Sequence, residues 1–237
     1  MQIRRSNERG HANHGCLDSY HAFSFAQYFD PQWVEFASLR VFNEDRIAPG
    51  SGFATHGHRD MEIISYILEG QLTHKDNMGN GSVIKPGDVQ RMSAGTGVLH
   101  SEFNHAETQT HFLQIWIQPN QLGLLPSYEQ KHFSVEKKQG KLCLIASATG
   151  AEGTVKIHQD VKIFAGLFND TADLEQTACY LLSSQRFAYL HVARGEILIN
   201  EVLLLAGDAA LFRQTSNIQI KGGKKAEILL FDLPADR

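Results

Sequence analysis

"ISYILEGQLTHKD" (residues 64–76), followed closely by "VIKPGDVQRM" (83–92), returns later in the chain as "FAYLHVARGEILIN" (187–200) followed by "VLLLAGDAALF" (202–212). Each copy reads as an apolar strand, a glycine turn, a second strand, then a Gly-Asp turn into a third. Gly70 matches Gly195, and Gly87-Asp88 matches Gly207-Asp208. Such turns require positive φ, which glycine adopts freely, and aspartate caps or tolerates them. A strand unit that occurs twice changes the expected fold from one irregular β-domain to two domains of one plan.

Outward from this repeat the same texture continues. From residue 36 onward, short apolar or alternating runs such as "FASLRVF" (36–42), "MEIISYILEG" (61–70) and "THFLQIWIQP" (110–119) are separated by Gly, Asn, Asp and Pro. That spacing predicts antiparallel strands closed into sandwiches or barrels, and long helical periodicity is nearly absent. The stretch "QPNQLGLLPSYEQKHF" (118–133) has two prolines and little alternation, which marks a linker. The expected division is an N-terminal domain over 1–120, a linker over 121–134 and a C-terminal domain over 135–237. At 237 residues, each half is long enough to bury a core.

Composition excludes several function classes. A net charge of −4, with 20% charged residues, lacks the basic surface of a nucleic-acid binder. Three widely spaced cysteines, Cys16, Cys143 and Cys179, form no C-x-x-C pair and suggest a reducing compartment. The charged N-terminus leads into no apolar signal segment, and no run approaches the roughly 18 apolar residues of a membrane span. A cytoplasmic protein without membrane or nucleic-acid partners is expected, and a monomer.

Chemistry concentrates in two short motifs. "THGHRDME" (55–62) follows a Gly-rich approach and places His56 and His58 at i and i+2, which share one face of an extended strand. "GTGVLHSEF" (95–103) places His100 and Glu102 at the same spacing. Two such pairs on neighbouring strands would converge, and three imidazoles with a carboxylate suit a first-row divalent metal with vacant positions for water, substrate or dioxygen. Read singly, an H-x-H pair is more often two surface or packing histidines; the combination carries the metal reading.

At these residues the chain resembles the pirin family. "PGSGFATHGHRDMEIISYILEG" (49–70) and "PGDVQRMSAGTGVLHSEF" (86–103) are similar to the two cupin motifs in their pirin form. "ERGHANHGCLDSYHAFSFAQYFDP" (8–31) resembles that family's N-terminal signature, and the likeness extends to the closing "ILLFDLP" (228–234). Cys16 departs from it, where a large aromatic is expected. The resemblance implies an all-β fold of two cupin-like barrels in tandem, each a double-stranded β-helix or jelly roll. It implies His56, His58, His100 and Glu102 as metal ligands, and leaves Glu62 to the surroundings of the site or the core. The metal implied is one divalent transition ion, Fe(II) first, with Zn, Ni, Co, Mn and Cu also compatible with such donors.

The branch it resembles most includes bacterial proteins described as quercetin 2,3-dioxygenases. That implies a flavonol-like substrate, dioxygen as co-substrate, carbon monoxide as product, and Glu102 as the base that takes the substrate's proton. Phe53, Phe103 and Trp116, with Phe23 and Phe25, are the aromatics expected to line an apolar mouth above the metal. The alternative is a non-enzymatic protein whose metal senses redox state and changes a surface read by a partner. An apolar pocket beside the ion would favour catalysis, and a flat surface would favour the switch. The nine other histidines are expected to be surface or structural. Aligning the repeats lays His56, His58 and Glu62 on Leu181, Ser183 and Phe187, and His100 and Glu102 on Ile220 and Gly222, so the C-terminal copy is expected to hold no metal.

Overall fold

The computed structural model describes residues 1–171 and 175–235. Its N-terminal strands are β1 (Gln2–Arg4), β2 (Gly10–Asn13), β3 (Leu17–His21), β4 (Leu39–Ile47), β5 (Ser51–His58), β6 (Glu62–Glu69) and β7 (Leu72–Asp76). Then come β8 (Gly81–Ile84), β9 (Asp88–Ser93), β10 (Val98–Asn104), β11 (Thr110–Ile117) and β12 (Ser127–His132). The remainder forms β13 (Cys143–Ser147), β14 (Val155–Lys156), β15 (Lys162–Phe168), β16 (Ala178–Leu181), β17 (Arg186–Ile199), β18 (Val202–Leu205), β19 (Ala209–Phe212) and β20 (Asn217–Pro234). The one α-helix among the described residues, Val135–Lys138, is a single turn. No helix there is long and apolar enough to cross a membrane. The fold is all-β, as the alternation predicts.

The compact units are not continuous in sequence. Residues 10–132 with 148–159 form one, and residues 1–9, 133–147 and 160–237 form the other. In the first, a seven-stranded sheet ordered β12-β9-β6-β11-β4-β3-β2 is accompanied by a four-stranded sheet ordered β5-β10-β7-β8. An apolar layer joins the two: Ile47, Ile67 and Phe112 of the larger sheet pack with Leu72 and Ile84 of the smaller, and Leu17 and Phe53 lie against them. A second apolar cluster gathers Ile63, Met92, Ala94 and Val98, with Trp116 beside it. Between these apolar clusters the inward positions turn polar. Cross-strand partners run His21–Asn43–Gln114–Ser65–Gln90 across the large sheet. Cys16, where an aromatic is expected, is exposed in the β2–β3 turn.

In the second unit, neighbours in the main sheet run β1-β19-β17-β20-β15-β13. Its core is hydrocarbon, including Leu190, Val192, Ile197, Ala210, Phe212, Ile220, Ile228 and Leu230. The repeat read from sequence is one of backbone geometry. Gly70 and Gly195 have φ of +73° and +68°. A Cβ on Gly70 would lie 2.7 Å from the carbonyl oxygen of Gln109, and one on Gly195 would lie 2.3 Å from that of Lys224. Each glycine therefore sits where one long strand bends under the backbone of the next, and any side chain there would collide with main chain.

Candidate metal centre

The motif H-x-H lies on β5 and H-x-E on its antiparallel partner β10. His100 pairs with His56, but Glu102 pairs with Phe53, so a bulge inserts one extra residue on β5 between them. The bulge rephases the strand, so that Phe53 on one side and His56 and His58 on the other all turn inward. On the far side of β10, His100 and Glu102 face Asp76 and His74 of β7.

One ring nitrogen from each of His56, His58 and His100 lies within 4.8 Å of the others. The His56 and His100 Nε2 atoms are 3.1 Å apart. Two nitrogens bound at about 2.1 Å at right angles to one another would be separated by about 3 Å, so this spacing suits adjacent vertices around one transition-metal ion. Hydrogen bonding supports the same use: His56 Nδ1 lies 2.8 Å from the Ala54 carbonyl oxygen, which places the proton on Nδ1 and leaves the Nε2 lone pair for a ligand. Burial and the neighbouring His56 lower the pKa of His58 to about 4; burial and the surrounding histidines lower that of His100 to about 3. Both rings are therefore neutral at pH 7, the form that binds metal.

Glu102 is fully buried, and two donors hold its carboxyl: Ser65 Oγ at 3.0 Å and Gln114 Nε2 at 2.7 Å. Burial raises its pKa to about 7. A Glu102 oxygen groups with His100 and His74 within 4.8 Å, not with all three motif imidazoles. His74 is fully buried, and its Nε2 lies 3.0 Å from Asp76. From sequence alone His74 is expected only to be a surface or structural histidine. Glu62 lies apart, taking a hydrogen bond from Ser93 Oγ at 2.5 Å and one from the His158 backbone N–H at 3.3 Å. The donor set suits a first-row ion: imidazoles, a carboxyl oriented by its own hydrogen bonds, and no thiolate.

A cavity of about 340 Å³ is lined by the apolar Leu17, Phe25, Tyr28 and Phe53 together with the polar Ser19, Asn43, Asp45 and Gln114, and by none of His56, His58, His100 and Glu102 themselves. Phe53 sits 6.3 Å from His56, ring to ring, and Gln114 reaches from the cavity wall to Glu102. Trp116 packs edge-on against His58 at 4.9 Å and against Phe25 at 5.5 Å. Phe103, next to Glu102 on β10, points to the opposite face and lies over His105 at 4.8 Å. Asn43, Asp45, Ser65 and Gln114 escaped the motif reading. Their signal was available as polar residues at inward, alternating positions of otherwise apolar strands.

These features are those of a known family. A family model described as Pirin matches residues 2–117, and one described as Quercetinase C-terminal cupin domain matches residues 144–233. The chain is 44% identical over 236 residues to a protein named Quercetin 2,3-dioxygenase from Escherichia coli K12, covering 99% of each. It belongs to the pirin family. A Pirin-like protein of Caulobacter vibrioides is 39% identical over 224 residues, 94% of this chain and 95% of that one. The crystal structure of the bacterial pirin YhhW from Escherichia coli in complex with nickel(II) superposes with a TM-score of 0.91 at 41% identity, over 98% of both chains. Two cupin domains in tandem are thus the architecture of this pirin as well.

Proposed function

We propose that this pirin is a metal-dependent dioxygenase that opens a flavonol such as quercetin and releases carbon monoxide. The observation carrying the reading is the convergence of three imidazoles, joined through Phe53 and Gln114 to a cavity lined in part by aromatic side chains. A concave pocket favours catalysis over a flat surface read by a partner. His56, His58, His100 and Glu102 would hold one divalent transition ion, with Fe(II) the first candidate; the nickel complex of the related bacterial pirin supports a single-ion site. A bound ion supplies Lewis acidity that lowers the pKa of a coordinated substrate hydroxyl, and positions open to small ligands.

The residues supply the rest. Phe25 and Phe53 pack against a planar ring and exclude water. The cavity volume sits at the lower end of the roughly 300–1,000 Å³ of small-molecule sites. Glu102 accepts the proton of the flavonol 3-hydroxyl, and Ser65 and Gln114 keep its carboxylate aimed. The deprotonated, electron-rich ring reacts with dioxygen, and cleavage expels carbon monoxide. We place the enzyme in the cytoplasm, where its three unpaired cysteines would stay reduced, and as a monomer. The test is metal analysis of protein from its native host, followed by quercetin assays with and without air. Stoichiometric metal and oxygen-dependent carbon monoxide are expected. Metal-replete protein that produces no carbon monoxide would overturn the reading.

A further inference from the structure

The cavity holds a buried carboxyl that neither the proposed metal site nor the general-base step employs. Asp45 projects inward from β4 and is 2% exposed. Among the described residues, one side-chain donor reaches it: Ser19 Oγ of the neighbouring strand β3, hydrogen-bonded to Oδ1. Its other oxygen has no protein hydrogen bond, and no arginine or lysine pairs with it. Burial pushes the carboxyl up to about 7, Ser19 opposes that shift, and the nearby acids Glu102, Glu44 and Asp18 add to it. A buried carboxyl with one donor carries a standing desolvation cost, which an incoming donor would relieve.

The rest of the polar wall is equally unsaturated. Asn43 Oδ1 faces His21 Nδ1 at 3.0 Å, which leaves the Asn43 amide N–H groups unused. Gln114 spends its Nε2 on Glu102, which leaves its carbonyl oxygen unused. Acceptor, donor and acceptor thus share the lining of this cavity with aromatic and aliphatic side chains. A ligand that matches is planar and aromatic, and carries hydroxyl groups.

We propose that Asp45, oriented by Ser19, is a specificity-determining residue that accepts a hydrogen bond from a phenolic hydroxyl on the ligand. The preferred ligand is then a polyhydroxylated aromatic with one hydroxyl for the histidine cluster and another for Asp45. The inference rests on the flavonol reading above and names which flavonols the pocket selects. A site built around a hydroxyl rejects the analogue that lacks it, because its own polar groups are left unpaired.

The test uses the metal-replete protein, without air, so that binding is read apart from turnover. Dissociation constants are measured by fluorescence quenching for quercetin, which carries two hydroxyls on its pendant ring, and for galangin, which carries none there. Wild type should bind quercetin at least about tenfold more tightly than galangin. Asp45→Leu should bring that ratio to within about twofold, mainly by weakening quercetin. Ser19→Ala, a milder change, should reduce the ratio part of the way. A wild-type protein that does not discriminate, or an Asp45→Leu variant that keeps the full ratio, overturns the proposal. Adding air separates the two claims: if discrimination is present and no oxygen is consumed, the dioxygenase reading fails while the role of Asp45 stands.

Discussion

The two units place opposite chemistry in the same row of the same sheet. In the first, partners across the sheet run His21–Asn43–Gln114–Ser65–Gln90–Gln130. In the second, the corresponding row runs Leu144–Phe164–Leu230–Leu190–Ala210–Ile3. The correspondence follows from the matched glycines, because Ser65 and Leu190 lie at equal distances before Gly70 and Gly195, and Gln90 and Ala210 at equal distances after Gly87 and Gly207. Polar side chains across a β-core cost stability unless something uses them. In the first unit Ser65 and Gln114 support Glu102, and His21, Asn43 and Gln114 line a cavity; in the second, hydrocarbon fills the space. One β-plan thus serves as a site in one copy and as a packed core in the other.

The comparison can be broken most severely at the imidazoles. His58→Ala should reduce bound metal to background and abolish oxygen uptake with quercetin, read by elemental analysis and an oxygen electrode. Glu102→Gln should keep part of the metal and lose about 100-fold in turnover, the size expected when a general base is removed. Full activity in that variant would remove Glu102 from the chemistry. Exchanging residues between the rows sharpens the contrast. Leu230→Gln, which puts an amide among hydrocarbon, should cost about 2–3 kcal/mol in urea unfolding and leave metal content unchanged. The reverse change, Gln114→Leu, should weaken metal binding about tenfold in a chelator competition, because Glu102 loses one of its two donors.

The smallest effect concerns pH. In metal-free protein, His58 and His100 protonate near pH 4 and 3, whereas unfolded histidine does so near 6.5. The unfolded chain therefore binds more protons between these values, and the stability these rings contribute is present above pH 6.5 and lost as pH falls toward 4. The melting temperature of wild type relative to His58→Leu should drop by a few degrees over that range. The buried acids Asp45 and Glu102, whose pKa values are raised, act in the opposite direction, so the difference between the two proteins is the quantity to follow.

Much of this was legible in sequence because it rests on period and spacing. Alternation foretold the strands, glycine turns at matched positions foretold the repeat, and i, i+2 pairs brought the motif histidines to one face. What sequence spacing could not supply was the partner of each strand. His74 joins Glu102 through cross-strand register, and Gln114 reaches Glu102 from the opposing sheet, so neither contact leaves a local pattern. Phe103 shows the same limit. Its neighbour Glu102 faces inward, so the pleat sends the Phe103 ring to the other face, and it lies over His105 instead of the cavity. The segment 148–159, which belongs with the first unit, is distant in sequence from everything it accompanies.

The central claim is that one ion sits among the first unit's histidines. Anomalous diffraction from crystals of metal-loaded protein tests it most directly, with data on either side of the metal's absorption edge. A single peak within about 2.0–2.3 Å of nitrogen atoms from His56, His58 and His100 and of a Glu102 oxygen is predicted. A peak held by His74 without His56 and His58, or a peak in the second unit, would contradict it.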